Sequence, residues 1–364
     1  MLHYVKSPIS NETIPDKVAA LLEQGIKQYI ILKDGHIVGT DLNLTEGLYI
    51  DSFDNALNDQ ADVITKIELM NQNKSDAYNY VMEEANSGLV INVKRNLNIE
   101  DQLHVFVIQD EHDLVHNTVI NLEANAHLKV TEYFCNINPA SINLVNHYLV
   151  EENAELNYTS VNFFDPKAVI SIIREGFVNR YGNLKMNHAE VSDSITEVYT
   201  NVALQEPHAV STVKTVALTS DGQNARFEQN VQHLAKETEG YIENYGVSSD
   251  ESCLVFEGVG KIHKGMKQSI ARQKNKGIIL SPKARLDANP LLLIDEYDVI
   301  ASHGAAIGQI DEQQLYYLMS RGLSKPEAER LIIGGFLSPI LTALDNDAIK
   351  DAFLESVERK TKAY

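Results

Sequence analysis

The sequence predicts a mainly β protein: a β-solenoid core set between an N-terminal α/β region and a C-terminal helical domain. From Leu89 to about Ile300 short β-like runs follow one another with no helix of convincing length between them. An approximate internal repeat recurs inside that stretch, and after Gly308 the pattern changes to capped helical segments. The divisions expected are 1–87 for the mixed helical and hairpin region, 88–308 for the β core and 309–364 for the helices.

In chain order, residues 15–24 have helical spacing, with Pro15 early and Gly25 to end the run. Residues 28–32 and 36–39 flank Asp34-Gly35, the signature of a hairpin on a two-residue turn. A second helix fits 75–85 and is broken by Asn86-Ser87-Gly88. The β runs then begin at 89–93, 104–108 and 118–122. Val119-Ile120-Asn121-Leu122-Glu123-Ala124-Asn125-Ala126-His127-Leu128 resembles Tyr148-Leu149-Val150-Glu151-Glu152-Asn153-Ala154-Glu155-Leu156. In each, an apolar strand meets an acidic residue, an Asn-Ala corner and a new apolar strand; Ser281-Pro282-Lys283-Ala284-Arg285-Leu286 is a looser echo. Short strands with small-residue corners suit stacked coils that bury their faces on one another. The residues alone also admit an ordinary sandwich. In the tail, Asp311 is an N-cap, and Leu315, Tyr316 and Leu318 begin an apolar stripe that Gly322 ends. Ser324-Lys325-Pro326-Glu327 forms a capping box, opening a helix with Ala328, Leu331 and Ile332 that is expected to stop at Gly334-Gly335. A last helix over 347–360 ends on Arg359 and Lys360, as the helix dipole prefers. Open coil edges invite strand addition, so the flanking domains or a partner are expected to cover them.

Composition narrows the function. The chain has 364 residues, 44% hydrophobic and 23% charged, as in an ordinary globular protein. It contains no run of about 18 apolar residues, and Met1-Leu2-His3-Tyr4 lacks a basic segment followed by an apolar one. Neither a membrane span nor a secretory signal is expected, and a cytoplasmic location is. Cys135 and Cys253 stand far apart with no C-x-x-C spacing, which argues against a disulfide scaffold or a self-contained metal site and for buried small hydrophobes. A formal charge of −20 repels nucleic acid and anionic membranes. Yet Lys261, Lys264, Lys267, Arg272, Lys274, Lys276, Lys283 and Arg285 follow one another with no acid between them. Two readings stand: a solvated face balanced by acids in the fold, or a docking strip for an acidic partner. No aromatic residues interleave with the strip, so it does not read as a nucleic-acid groove. Solenoids also serve as polysaccharide lyases and hydrolases, with clustered carboxylates as acid and base. Zero Trp and no groove-like aromatic run weigh against a sugar-binding surface. Gly258-Val259-Gly260-Lys261 lacks the spacing whose amides cradle phosphate, so nucleotide hydrolysis is not expected of this chain. A purely structural homodimer is the other alternative.

At the junction between β core and tail, Ala301-Ser302-His303-Gly304-Ala305 is followed by Gly308-Gln309-Ile310-Asp311-Glu312. This run resembles the junction signature of the SufB/SufD family, scaffold subunits of the SUF iron–sulfur cluster assembly machinery. Residues 117–164 are similar to the family stretch in which paired apolar strands alternate with an acidic Asn-Ala corner. Val255-Phe256-Glu257-Gly258, Gln268-Ser269 and Asn275-Lys276 onward resemble its late coils, and 291–322 match best of all. The fold so implied is a right-handed parallel β-helix between an N-terminal helical region and a C-terminal helical domain.

The SufB branch of this family is expected to carry a cysteine in a late strand and a Glu-His-Glu run at the junction. Here the late strand reads Asn289-Pro290-Leu291-Leu292-Leu293-Ile294-Asp295 and the junction Ser302-His303-Gly304, which puts the resemblance on the SufD side. A thiolate is the reactive sulfur carrier and a soft iron ligand, and this chain cannot supply one there. The resemblance then implies a non-catalytic scaffold that pairs with SufB as a heterodimer and docks the ATPase SufC, with a homodimer possible in isolation. It implies that His303, flanked by Ser302 and Gly304, faces the SufB cysteine as one metal ligand. A transient iron–sulfur cluster would form in that complex, with none bound stably by this chain alone. It also implies SufC docking through Leu315, Tyr316, Tyr317, Leu318, Leu331 and Phe336, some of which must form the tail's own core. Without the resemblance, a lone histidine at a strand end reads as structural. His112 and His116 read as members of a polar turn, His233 and His263 are placed by chain order on the same face as His303, and Asp295, Glu296 and Asp298 form an acidic turn.

Overall fold

The computed structural model describes residues 3–7, 14–70, 75–164, 168–344 and 346–361. Seven helices are described: α1 (Asp16–Glu23), α2 (Phe53–Asp59), α3 (Ala61–Met70), α4 (Asp76–Glu84), α5 (Glu312–Ser320), α6 (Lys325–Leu341) and α7 (Asp347–Thr361). None is long and apolar enough to cross a membrane.

From Ser87 onward strands alternate between two sheets, one strand of each making a coil. In sheet 1 the parallel stack runs Leu103–Gln109, His127–Asn136, Glu155–Asn162, Asn183–Glu190, Val210–Thr219, Glu239–Ser248, Ile270–Ile279 and Ile300–Gly308. In sheet 2 it runs Ser87–Val93, Leu114–Leu122, Ser141–Val150, Val169–Val178, Ile195–Leu204, Asn224–His233, Cys253–Ile262 and Arg285–Ile294. Neighbouring coils are offset by 28 residues where Ser160 meets His188 and by 31 where Asn244 meets Asn275. This is a parallel β-solenoid, and the parallel ladders rule out the sandwich. The hairpin of Tyr29–Lys33 and His36–Leu44 turns on Asp34 and Gly35, both at positive φ, and extends sheet 1 with His3–Ser7 beyond it. Leu48–Ser52 adds antiparallel to Ser87–Val93 in sheet 2. The N-terminal end is therefore extended on sheet 1 by the hairpin, whose first strand joins Leu103–Gln109 in parallel, and capped on sheet 2 by an antiparallel strand.

The repeat seen in the sequence is a stacked corner. Asn96, Asn125, Asn153, Tyr181, His208, Glu237 and Gln268 each take a left-handed conformation between a strand of sheet 2 and the next of sheet 1. Asparagine tolerates that conformation better than most residues. The backbone N–H of Asn125 donates to Glu152 O (2.9 Å) and that of Asn153 to Arg180 O (2.8 Å), so each corner is tied to the next coil. Asn153 Nδ2 donates to Asn125 Oδ1, and Asn125 Nδ2 to Asn96 Oδ1, at 2.8 and 2.7 Å. Ala126 and Ala154 follow, fully buried, where a larger side chain would collide with the core. The echo at Ser281 belongs to the opposite corner, from sheet 1 to sheet 2. There Ser281 Oγ donates to Asp250 O at 2.7 Å.

Between the sheets lies a continuous apolar core including Leu122, Leu156, Val178, Leu204 and Phe256. Helices cover the outer faces. α1, α6 and α7 pack on Val161, Val191, Val216, Leu218 and Tyr245 of sheet 1. Val63, Ile64 and Ile67 of α3 pack on Val90, Val119, Leu149 and Phe177 of sheet 2, with Tyr78 and Val81 of α4 beside them on Val115, Val145 and Ile173. The sequence reading did not assign α2, α3, Leu48–Ser52 or His3–Ser7.

One expectation for the tail is corrected. α6 does not stop at Gly334-Gly335: it continues to Leu341, through Pro339, because Ile333, Leu337 and Ile340 are all buried on sheet 1. Packing of that face outweighs the helix-breaking propensity of the glycines. The C-terminal helices do not cover the last coil edge. They lie along the outer face of sheet 1, while every position of Ile300–Gly308 is exposed.

Candidate functional site

The last strand of each sheet, Arg285–Ile294 and Ile300–Gly308, has a neighbour on one side only among the described residues. The solenoid ends there as an open mouth. Alternation along Ile300–Gly308 sends successive side chains to opposite faces. His303 pairs in register with Gln273, which pairs with Ile242, so it continues an inward-facing column. A Cβ on Gly277 would meet Leu286 and Ile307, and one on Gly260 would meet Leu292 and the Gln273 amide, so these side chains also face inward. His303 is thus an imidazole at the rim of a mouth otherwise lined by Leu286, Pro290, Leu292 and Ile307. Ser302 and Gly304 stand in register with Arg272 and Lys274 and belong to the outer face. The register separates His303 from its two sequence neighbours.

The other histidines lie elsewhere. His233 ends a strand of sheet 2, is fully buried, and has Nδ1 2.8 Å from Thr238 Oγ1; burial pushes its pKa down to about 4. His263 follows Cys253–Ile262, also in sheet 2, and lines an outer cleft with Glu175, Asn201 and Gln232. Both lie on sheet 2, but His233 faces the interior, as His303 does, in register with core Leu204, while His263 opens on the outer cleft. Chain order therefore put His233 on the correct side and His263 on the wrong one, because each coil visits both sheets. Only His112 occupies the turn, its carbonyl accepting from Gln109 Nε2 at 2.8 Å. His116 is inside the solenoid, with Nδ1 2.7 Å from Ser87 Oγ and Nε2 2.8 Å from Thr118 Oγ1. Burial pushes its pKa down to about 3, so it stays neutral.

In the acidic turn, the Glu296 carboxylate accepts from the backbone of Tyr297 (2.9 Å) and of Gly265 (2.8 Å), which holds its pKa below the usual range. That carboxylate closes a corner. No group of three or more metal-binding side chains converges among the described residues. Cys135 is buried and its thiol pushed up to about 12 by desolvation, so it is inert. Cys253 is half-buried at the start of a sheet 2 strand.

Of the tail residues, Tyr316 and Tyr317 are 75% and 56% exposed on α5, which buries no residue, and Leu331 is 57% exposed on α6. Leu315 and Leu318 are half-buried. Phe336 is half-buried and packs edge-on against Tyr245 with ring centroids 5.8 Å apart, so it belongs to the core rather than to a docking face.

A set of interior polar residues was missed. Thr118, Glu132, Asn146, Ser160, Arg174 and His188 recur every 14 residues, one per half-coil, and all are buried. Five of them pair 14 residues away across the solenoid: Thr118 Oγ1 and Asn146 Nδ2 donate to Glu132 at 2.9 and 3.0 Å, and Arg174 Nη2 to Ser160 Oγ at 3.3 Å, while His188 Nδ1 lies 2.8 Å from Ser160 Oγ, 28 residues away. A search for polar residues at that period would have found them.

Residues 106–336 match the family model described as SUF system FeS cluster assembly, SufBD core domain. The chain is 31% identical to the iron–sulfur cluster assembly protein SufD of Bacillus subtilis, over 98% of this chain and 85% of that protein. It is 26% identical to a SufBD family protein of Mycobacterium leprae and 26% identical to one of Staphylococcus epidermidis. Each of these matches covers 54% of this chain, and respectively 23% and 42% of the relative.

Proposed function

The chain belongs to the SufB/SufD family of the SUF iron–sulfur cluster assembly system, and from that premise we propose that it is a non-catalytic scaffold pairing with SufB through the open end of its solenoid. Its role lies in iron–sulfur cluster assembly. The observation that carries the pairing is the position of His303, an imidazole on the inward column of a coil with no successor. One imidazole offers a single iron ligand, whereas a cluster takes about four. The remaining ligands, and the sulfur, would come from the partner, with a SufB thiolate opposite His303 across the joined mouths. The cluster is then a transient product of the complex rather than a resident group of this chain. α5 offers SufC its exposed Tyr316 and Tyr317, aromatic anchors of the kind that dominate interfaces. Nucleotide hydrolysis belongs to SufC, whose motion would shift the two scaffolds and open or close the shared site.

His303→Ala should leave folding and SufB binding within a few-fold of wild type, because the residue is exposed and packs on no core. Iron–sulfur content of client enzymes should fall in cells whose only copy is the variant. Normal client maturation there would remove His303 from the site. In parallel, Tyr316→Ala combined with Tyr317→Ala should weaken SufC capture by about tenfold or more without lowering the melting temperature. Unchanged capture would move the docking site off α5.

A further inference from the structure

Three parts of the chain that are far apart in sequence enclose a cavity of about 250 Å³ on the outer face of sheet 1. α1 contributes Val18 and Leu21, the solenoid contributes Tyr133, Cys135 and Phe163, and α7 contributes Arg359. Most of this wall is apolar or aromatic. Its polar groups are few, and they are charged. Lys17 of α1 is an exposed member of the lining whose Nζ lies 5.3 Å from the centroid of the Phe163 ring. Among the described residues no acid pairs with it, and its charge is felt by the buried Cys135 thiol. Asp193 also lines the cavity, but Arg359 and Lys360 already share its carboxylate. Asp16 stands on the exposed first turn of α1. An unpaired cation is therefore kept over an aromatic ring, at a cavity in a chain whose net charge is −20.

Small ligands bind in concave, mostly apolar sites where parts of a molecule meet, with a few convergent polar groups to fix their orientation. Pockets for drug-sized molecules begin at about 300 Å³, so the occupant here is smaller than those. We propose that this cavity binds a small aromatic monocarboxylate, with its ring against Leu21, Tyr133 and Phe163 and its carboxylate on Lys17. One unpaired cation matches one negative charge. A doubly charged phosphate would leave charge uncompensated beside apolar walls, which is costly. A bound molecule would touch α1, sheet 1 and α7 together, so it should hold the tail to the solenoid and stabilise the folded chain by mass action. The cavity shares no residue with the open mouth, so the inference stands apart from the pairing proposed above.

The test titrates the full-length chain with phenylacetate and with its neutral isostere phenylacetamide, followed by calorimetry and by melting temperature. Phenylacetate should bind saturably, raise the melting temperature, and bind about tenfold or more tightly than the amide, because a hydrogen bond to a charged group distinguishes them. Lys17→Met keeps the stem of an exposed side chain and removes its charge. It should erase the difference between the two probes. Phe163→Ala removes part of the aromatic wall and should weaken both probes, with circular dichroism to check that the fold persists. Absence of saturable binding by phenylacetate would overturn the proposal, and so would equal affinity of wild type for acid and amide. If Lys17→Met binds the acid as tightly as wild type, or Phe163→Ala binds both probes as tightly, the molecule sits elsewhere and this cavity is not its site.

Discussion

Glu132 lies inside the solenoid, where Tyr158 Oη donates to its carboxyl at 2.5 Å beside the Thr118 and Asn146 bonds. Burial still raises its pKa, and raises that of Glu190 as well, with the Arg174 guanidinium acting on both in the opposite sense. Arg174→Met would remove the cation that opposes burial at both carboxyls and should raise their pKa values further, so the loss of stability as pH rises should extend to higher pH, read from urea unfolding across pH. Buried neutral histidines shape the pH response. Desolvation holds His104 at about 4 and His116 and His147 at about 3, below the ordinary 6.5. Their unfolded forms take up protons first, so the stability they contribute is complete above about pH 6.5 and is lost as pH falls, on the order of 1 kcal/mol per histidine per pH unit. Glu132 and Glu190 run the other way: with pKa values raised on folding, their contribution is present at acid pH and lost as pH rises. The melting temperature should therefore fall between pH 6.5 and pH 4, and His147→Gln should flatten that limb. An unaltered slope would remove His147 from the account.

Within α6, two neighbouring stretches should respond oppositely to the same replacement. Gly335 is exposed in the middle of the helix and a Cβ there meets nothing within 4 Å. Gly335→Ala should stabilise by about 0.5–1 kcal/mol, through the freedom it removes from the unfolded chain. Leu337, two residues on, is fully buried on sheet 1, and Leu337→Ala should cost about 2–5 kcal/mol. Chemical denaturation of both variants separates a helix held by packing, as here, from one held by propensity.

For the whole molecule, the tail is part of the solenoid's wall. Lys360 is buried at the end of α7, its Nζ 2.6 Å from Asp193 Oδ1 and 2.7 Å from Gln223 Oε1, with Arg359 on the same aspartate. Burial lowers the Lys360 pKa, and the two cations, outweighing burial, hold the Asp193 carboxyl below its usual range. Removing 311–361 would strip this clasp and uncover Val191, Val216, Leu218 and Tyr245. The shortened chain should melt well below the full-length protein and bind a hydrophobic dye such as ANS. A truncated solenoid with unchanged melting would show that the sheet face stands alone.

Much of this organisation is local and was legible in the sequence. Alternating apolar strands, Asn-Ala corners and helix caps are written in residues within a few positions of one another; they gave the helix-free β core, the Asp34-Gly35 hairpin and the capped starts of α5 and α6, while the choice of solenoid over sandwich waited on the parallel pairing of strands a coil apart. His303 was singled out by the run around it. Relations between residues a whole coil apart were decided by tertiary structure. These include the placing of His233 and His263 in sheet 2, the turning of His303 inward while Ser302 and Gly304 face out, and the alignment of Arg272, Lys274 and Lys276 with the smallest residues of the last strand. A shift of one residue in register would exchange the two faces of that strand, and no pattern within the strand itself fixes its register against a neighbour about 30 residues away. The continuation of α6 through two glycines depended on the same kind of fact: a buried face is stabilised by the surface it meets, and that surface lies on distant strands of sheet 1.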